Sequence, residues 1–236
     1  MALIQRTLGA VLLLLALGFA LTACGNKEAE QRTAFTTFLQ TRILDKPGVH
    51  VPKLTDAEKA SFGDYAQHYA VITDFNDGMN KSISQPMQAI MAKGGLRSIG
   101  DIVTRRDDLQ TARDAMAALR GALDQQLANA EAARAKLKQP DDLKGVFGKA
   151  YERTVSTPAT TFMEVFPAVD AVFGHGLKIA DYIKQNSSKI QISGASVQVS
   201  DPAIQSRLNE MFQQLGSQSA AINTAQRKLQ AVLRGS

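Results

Sequence analysis

Cys24 is the only cysteine in the 236-residue chain, and it follows Leu21-Thr22-Ala23. This setting suits one kind of chemistry. A thiol is a soft nucleophile that can take a diacylglyceryl group. Small residues before it let a peptidase close on the backbone, and cleavage after Ala23 frees an amino group for acylation. Leu-small-small-Cys is the pattern of a lipobox, with Leu21, Thr22 and Ala23 as the recognition residues and Cys24 as the lipidation site. One acyl chain binds membranes only marginally and two signals hold firmly, so a triacylated Cys24 would be a permanent anchor. A cut after Ala20 by an ordinary signal peptidase is the rival, and it leaves the cysteine unexplained. An exported chain whose one thiol is consumed has no internal disulfide, so packing must hold its fold.

Other reactive types are sparse. The three histidines are His50, His68 and His175. His50 reads as a loop residue. His68 lies one turn after Asp64, a spacing that suits a local structural pair. His175 sits between Gly174 and Gly176 in a helical stretch. None has metal-ligand spacing, and no second cysteine can help. Gly174-His175-Gly176 lacks the third glycine and the preceding strand of a dinucleotide loop. Gly95 to Gly100 has phosphate-loop spacing, but Asp101-Ile102 stands where Lys-Ser/Thr is needed. Asp74 to Gly78 resembles a calcium loop with its glycine one place early, and Gln85 occupies the position of the bidentate glutamate. Ser193 and Ser196 flank Gly194 without forming Gly-x-Ser-x-Gly. The adjacent carboxylates Asp107-Asp108 and Asp141-Asp142 point apart on a helix. The sequence therefore predicts no catalytic residues, no metal site, no cofactor and no enzymatic activity.

The elements that must present Cys24 begin with residues 1–23. Arg6 is followed by an uninterrupted apolar or small run from Leu8 to Leu21, the layout of a secretory signal peptide. Fourteen helical residues reach about 21 Å, short of the ~30 Å hydrocarbon core, so a membrane span is the weaker reading. Residues 24–236 are then one periplasmic domain tethered through Cys24, long enough to bury a core. Without Arg6 the chain has 26 basic and 22 acidic residues, a net charge near +4. That excess could favour anionic head groups or cell-wall polymers, but the interspersed charges read first as a solvated surface. Export, the absence of Trp and the lack of a basic-aromatic motif argue against nucleic acid.

The pattern beyond Cys24 predicts a mainly α protein: an antiparallel helical bundle with long helices and one small β-hairpin at about 189–199. Ala34, Phe35, Phe38, Leu39 and Ile43 form one stripe on a helix from Lys27 to Leu44, stopped by Asp45-Lys46-Pro47-Gly48. Thr55 with Glu58 is a capping box. It opens a helix carrying Phe62, Tyr65, Tyr69, Ile72 and Phe75 that weakens near Gly78 and Pro86. Residues 93–100 read as a loop. The longest helix is expected from about Asp101 to Lys138, on a stripe of Leu109, Ala112, Met116, Leu119, Leu123, Ala130, Ala133 and Leu137. Pro140 breaks it, and Asp141-Asp142 start another that runs to about Val155. Thr157-Pro158 reads as a cap and first-turn proline, opening a helix to Gln185 with a kink at Pro167. Ile190 to Val199 alternates strictly and mirrors itself about Gly194-Ala195, which predicts a type II′ hairpin pairing Ile192 with Val197 and Ile190 with Val199. Asp201-Pro202 opens the last helix, striped by Ile204, Leu208, Met211, Leu215, Ile222, Ala225, Leu229 and Val232. Both long stripes read as the buried face of a bundle rather than an intermolecular coiled coil.

Three segments carry a family resemblance. Cys24 to Phe35 with Phe38-Leu39-Gln40, then Lys138 to Phe147 with Val155-Ser156-Thr157-Pro158-Ala159, and more weakly Asp181-Tyr182-Ile183, resemble the YiaF-like bacterial lipoproteins, a family of unknown function. The resemblance covers most of residues 24–236. It implies an envelope lipoprotein of one domain and brings no catalytic residues. Gly25-Asn26 after the cysteine resembles the exported sorting pattern rather than the Asp that retains lipoproteins in the inner membrane of enteric-type bacteria. The periplasmic leaflet of the outer membrane is the expected location.

The expected role is that of a non-enzymatic module binding an envelope protein partner or serving structurally, attached to the membrane through lipid. The alternative is a carrier or sensor of an apolar ligand, in a pocket lined by Phe162, Met163, Phe166 and Phe173, although an ordinary core is the simpler use of those side chains.

Overall fold

The computed structural model describes residues 27–92, 98–193 and 196–235. Helix α1 (27–39) continues through a π-helical turn, Gln40–Leu44. Phe35, Phe38, Leu39 and Ile43 are buried on one face, as their spacing predicts. Asp45 ends the helix, its N–H bonding the Gln40 carbonyl at 2.8 Å. Helix α2 (Asp56–Phe62) opens on the Thr55–Glu58 capping box, with both reciprocal bonds made. The single helix expected from there is two. Gly63 takes φ 54° and ψ −129°, a conformation side chains exclude, and α3 (Tyr65–Met79) starts afresh beyond it.

The expected weakening at Gly78 and Pro86 does not end the helix. A π turn, Asn80–Ser84, carries α3 into α4 (Gln85–Ala92). The same device recurs downstream, where α7 (Asp141–Tyr151) passes through the π turn Glu152–Ser156 into α8 (Thr157–Met163). Each of these two π turns stops two residues before a proline, Pro86 or Pro158. A proline ring collides with the carbonyl four residues back, and a widened turn relieves that collision. Gln85 N–H reaches the Asn80 carbonyl and Thr157 N–H the Glu152 carbonyl, each five residues back. Thr157 is therefore no cap: Ser156 before it is already helical, with no capping bond.

Helix α5 (Ile99–Thr104) opens on a second capping box, Ser98 with Asp101, so Gly100 is helical rather than part of a loop. The rest of that expected loop, 93–97, lies outside the described residues. Arg105, at φ −111° and ψ 29°, separates α5 from α6 (Arg106–Ala135). The helix expected over 101–138 is thus shorter, and at 30 residues it yields first place to α10 (Pro202–Arg234) with 33. Its buried residues, Leu109, Met116, Leu119, Leu123 and Ala130, are those of the predicted stripe. Helix α9 (Val165–Gln185) follows a step at Glu164, three residues ahead of the expected kink at Pro167. Strands β1 (Ile190–Ser193) and β2 (Ser196–Val199) pair Ile190 with Val199 and Ile192 with Val197, the predicted register. The turn at 194–195 lies outside the described residues. Asp201 caps α10 by accepting from the N–H groups of Ala203 and Ile204.

The bundle is mainly antiparallel. Gln139 meets His68 while Gln126 lies against Gly78, so α3 and α6 run in opposite directions. Arg106–Asp181 and Arg113–Asp170 give α6 and α9 the same relation. Helices α1 and α7 instead run side by side, joined by Arg32–Asp142 at their starts and by Arg153 near their ends. The core has two parts. The larger gathers Phe35, Phe62, Tyr69, Leu123, Phe147 and Tyr151 from α1, α2, α3, α6 and α7. The smaller joins Ile102, Ile179, Ile183, Ile190, Leu208 and Met211 from α5, α9, the hairpin and α10. Helix α6, about 45 Å long at 1.5 Å per residue, belongs to both.

Candidate functional site

The start of α1 is held by charges. The Tyr65 hydroxyl donates to Glu28 Oε1. Arg32 lies 4.0 Å from the same carboxylate and reaches Asp142 at 3.5 Å. Tyr65 belongs to α3 and Asp142 to the first turn of α7. The start of α1 is thus tied to two other helices within eight residues of Cys24. Burial first, and Glu28 next, push the Tyr65 hydroxyl up to about 12. It stays protonated at neutral pH and donates to a carboxylate, the stronger kind of hydrogen bond.

The α6–α7 turn completes this end of the molecule. Gln139 Nε2 and His68 Nδ1 are 3.2 Å apart. The His68 ring stands edge-on to Tyr65, with ring centres 5.2 Å apart. Burial lowers the His68 pKa, and nearby Asp64 only partly opposes this. The expected partnership with Asp64 is therefore a through-space charge effect, while the ring nitrogen pairs with Gln139. Leu137, Lys138, Gln139, Pro140 and Lys144 line an open notch of about 530 Å³. Lys144 pairs with Asp141 at 2.8 Å.

At the far end of α1, Arg153 collects three carbonyls. Its Nε donates to Gly48 O at 3.0 Å, Nη1 to Leu44 O at 2.7 Å and Nη2 to Lys46 O. These belong to the helix end and its turn, where carbonyls lack helical partners. Beside them is a cleft of about 540 Å³, lined in part by Lys149, Glu152, Lys228 and Val232. Helix α10 ends here: Val49 N–H donates to Leu233 O at 3.1 Å, and Lys228 meets Glu164 at 2.5 Å. Sequence reasoning missed Arg153, and no local signal marks a residue whose partners lie over a hundred positions away.

The sequence-predicted site residues, Leu21, Thr22, Ala23, Cys24, Gly25 and Asn26, lie outside the described residues. His50 is exposed in a loop and His175 half-buried within α9. Gly174-His175-Gly176 and Asp74 to Gly78 lie inside helices, so neither forms a ligand loop. Among the described residues, no cluster of histidine, cysteine and acidic side chains could hold a metal. Phe162 and Phe166 pack ring to ring at 5.4 Å, and they join Met163 and Phe173 against the larger core. Among the described residues no helix is long and apolar enough to cross a membrane, and Leu233 is the only large hydrophobic side chain that is exposed.

The family described as "Protein of unknown function (DUF3053)" matches residues 11–230. Uncharacterized protein YiaF of Escherichia coli strain K12 is 30% identical over 211 residues, covering 87% of each chain. The YiaF proteins of Escherichia coli O157:H7 and of Shigella flexneri match to the same extent. No solved structure matches the chain.

Proposed function

This chain belongs to the DUF3053 family, and on that premise we propose that it is a lipid-anchored bacterial envelope protein, a non-enzymatic module held to a membrane through Cys24. One observation carries the reading. The Leu21-Thr22-Ala23-Cys24 motif stands shortly before a helix whose first two turns are fastened to α3 and α7. A lipid on Cys24 would therefore hold the whole body and not a loose tail. Gly25 and Asn26 favour the periplasmic leaflet of the outer membrane.

A partner protein would meet polar helix faces, since large apolar side chains are nearly all covered among the described residues. Such contacts are small, wet and reversible. The Arg–Asp pairs between α6 and α9 hold the helices together.

The test is the intact mass of the protein purified from the membrane of its expression host. The expected amino terminus is Cys24 with diacylglyceryl and amide-linked acyl chains, absent from Cys24→Ser. A mature terminus after Ala20, or an uncut chain, would overturn the reading. Photo-crosslinking from exposed positions on α6 and α10, with the native anchor kept, would then capture the partner.

A further inference from the structure

We infer that the α6–α7 turn is a seat for anionic phospholipid head groups of the membrane that carries the Cys24 lipid; this rests on the lipid-anchor reading above. Three observations meet here. The first is reach. Only two residues separate Cys24 from Lys27, where α1 is already helical. At no more than about 3.6 Å per residue, the lipid-bearing cysteine lies within roughly 11 Å of that helix. The second is placement. Arg32–Asp142 and Tyr65–Glu28 bring the starts of α7 and α3 beside the first turns of α1. The end of the bundle nearest the lipid is therefore the one that holds residues 136–144.

The third is charge. Asp141 and Asp142, the acids of this turn, are taken up by Lys144 and Arg32. Lys27, Lys136 and Lys138 are exposed, and among the described residues none of them has a carboxylate within ion-pair distance. Glu131 lies five positions before Lys136, about 7.5 Å back along α6. Asp64 faces His68. Lys138 lines a notch of about 530 Å³ together with Leu137, Gln139, Pro140 and the paired Lys144; Lys136 precedes the notch in the chain, and Lys27 stands at the start of α1. Unpaired ammonium groups beside the apolar side chains of Leu137 and Pro140 match a phosphate head group on its glycerol. Basic groups near an anionic surface attract it within a Debye length.

The experiment uses the full-length, membrane-extracted protein with a fluorophore at Ala135→Cys, next to the seat, or at Gln191→Cys on the hairpin. Cys24 contributes no free thiol once lipidated. Each form is placed in phosphatidylcholine vesicles with or without phosphatidylglycerol, both doped with a head-group spin-labelled lipid that quenches on contact. Quenching should be several-fold greater at position 135 than at 191, and should deepen when phosphatidylglycerol is present. Lys136→Glu with Lys138→Glu should remove the phosphatidylglycerol-dependent part. Equal quenching at both positions, or none that depends on phosphatidylglycerol, overturns the seat. An unmodified Cys24 in the same preparation, read by intact mass, instead overturns the anchor and the seat together. Both labelled forms keep all three lysines, so the comparison survives misfolding of the charge-reversed variant.

Discussion

Arg153 Nε donates to the carbonyl oxygen of Gly48 at 3.0 Å, joining residues 105 positions apart in the chain. With Leu44 O and Lys46 O on its other nitrogens, one guanidinium ties the end of α1 to the turn that follows it. Arg153→Ala should destabilise the protein by about 2 kcal/mol, since bonds to a charged group contribute more than neutral ones but water can reach this half-open site. Arg153→Lys should recover less than half of that, because an ammonium cannot span a planar fork of acceptors. Urea denaturation of the three proteins checks both values, and a lysine variant as stable as the parent would refute the clamp.

Gly48 is needed at the same junction for a different reason. Its φ is +70°, and a Cβ there would overlap the carbonyl oxygen of Leu233 at the end of α10. Gly48→Ala combines backbone strain with a collision against main chain and should cost at least about 2 kcal/mol. Gly145 in α7 is the internal control, having open space around it and no positive φ. Gly145→Ala should stabilise by up to about 1 kcal/mol through helix propensity. Opposite shifts in melting temperature are the expected result; shifts of one sign would sink the assignment.

What the sequence disclosed and what it hid divide along the range of the interaction. The α1 stripe from Phe35 to Ile43, the Thr55–Glu58 box, the mirrored hairpin and the Asp201 cap depend on neighbours a few residues away, and all are where the pattern places them. Pro86 and Pro158 misled, because a helix can widen by one residue ahead of a proline and continue. The true interruptions, Gly63, Arg105 and Glu164, bear no comparably strong local breaker except the glycine. The proposed lipobox is the reverse case: its pattern is four consecutive residues, Leu21 to Cys24, so it is read from sequence alone and lies outside the described residues. Arg32–Asp142 and Arg153–Gly48 became visible only when the helices were assembled, for their partners come from distant segments.

Tyr151 presents an imbalance in the core. Its side chain is fully buried, and its hydroxyl has no hydrogen-bond partner among the described residues. The Arg134 guanidinium lies over the ring, 4.5 Å from its centre. Burial raises the hydroxyl's pKa, so it remains neutral. A buried, unsatisfied hydroxyl costs about 1–3 kcal/mol, while the ring contributes through packing and its cation–π contact. Tyr151→Phe should therefore leave stability unchanged or raise it by about 1 kcal/mol. Tyr151→Leu should lower it by more than 1 kcal/mol, about the range of a reshaped core side chain that also loses the cation–π contact. Loss of stability in the phenylalanine variant would mean the hydroxyl is bonded, and calorimetry on the pair decides.

His68 gives the fold a dependence on acid. Its folded pKa lies below the ordinary value because burial disfavours the charged ring. Near neutral pH the ring is uncharged in both states. As pH falls through about 6.5 the unfolded chain takes up a proton that the folded chain resists. From there stability declines, and the loss levels off only below the folded pKa, where both states are charged. A proton on Nδ1 would also face the Gln139 amide, which is itself a donor at this 3.2 Å contact. Acid should therefore loosen the α6–α7 turn from α3 before it unfolds the bundle. Melting temperatures at pH 7.5 and pH 5.5 should differ, and His68→Gln should shrink the difference while leaving the value at pH 7.5 close to the parent's. Hydrogen exchange at the same two conditions should show faster exchange first at 136–140. If the histidine and glutamine proteins lose stability equally on acidification, other groups govern the response and this linkage is wrong.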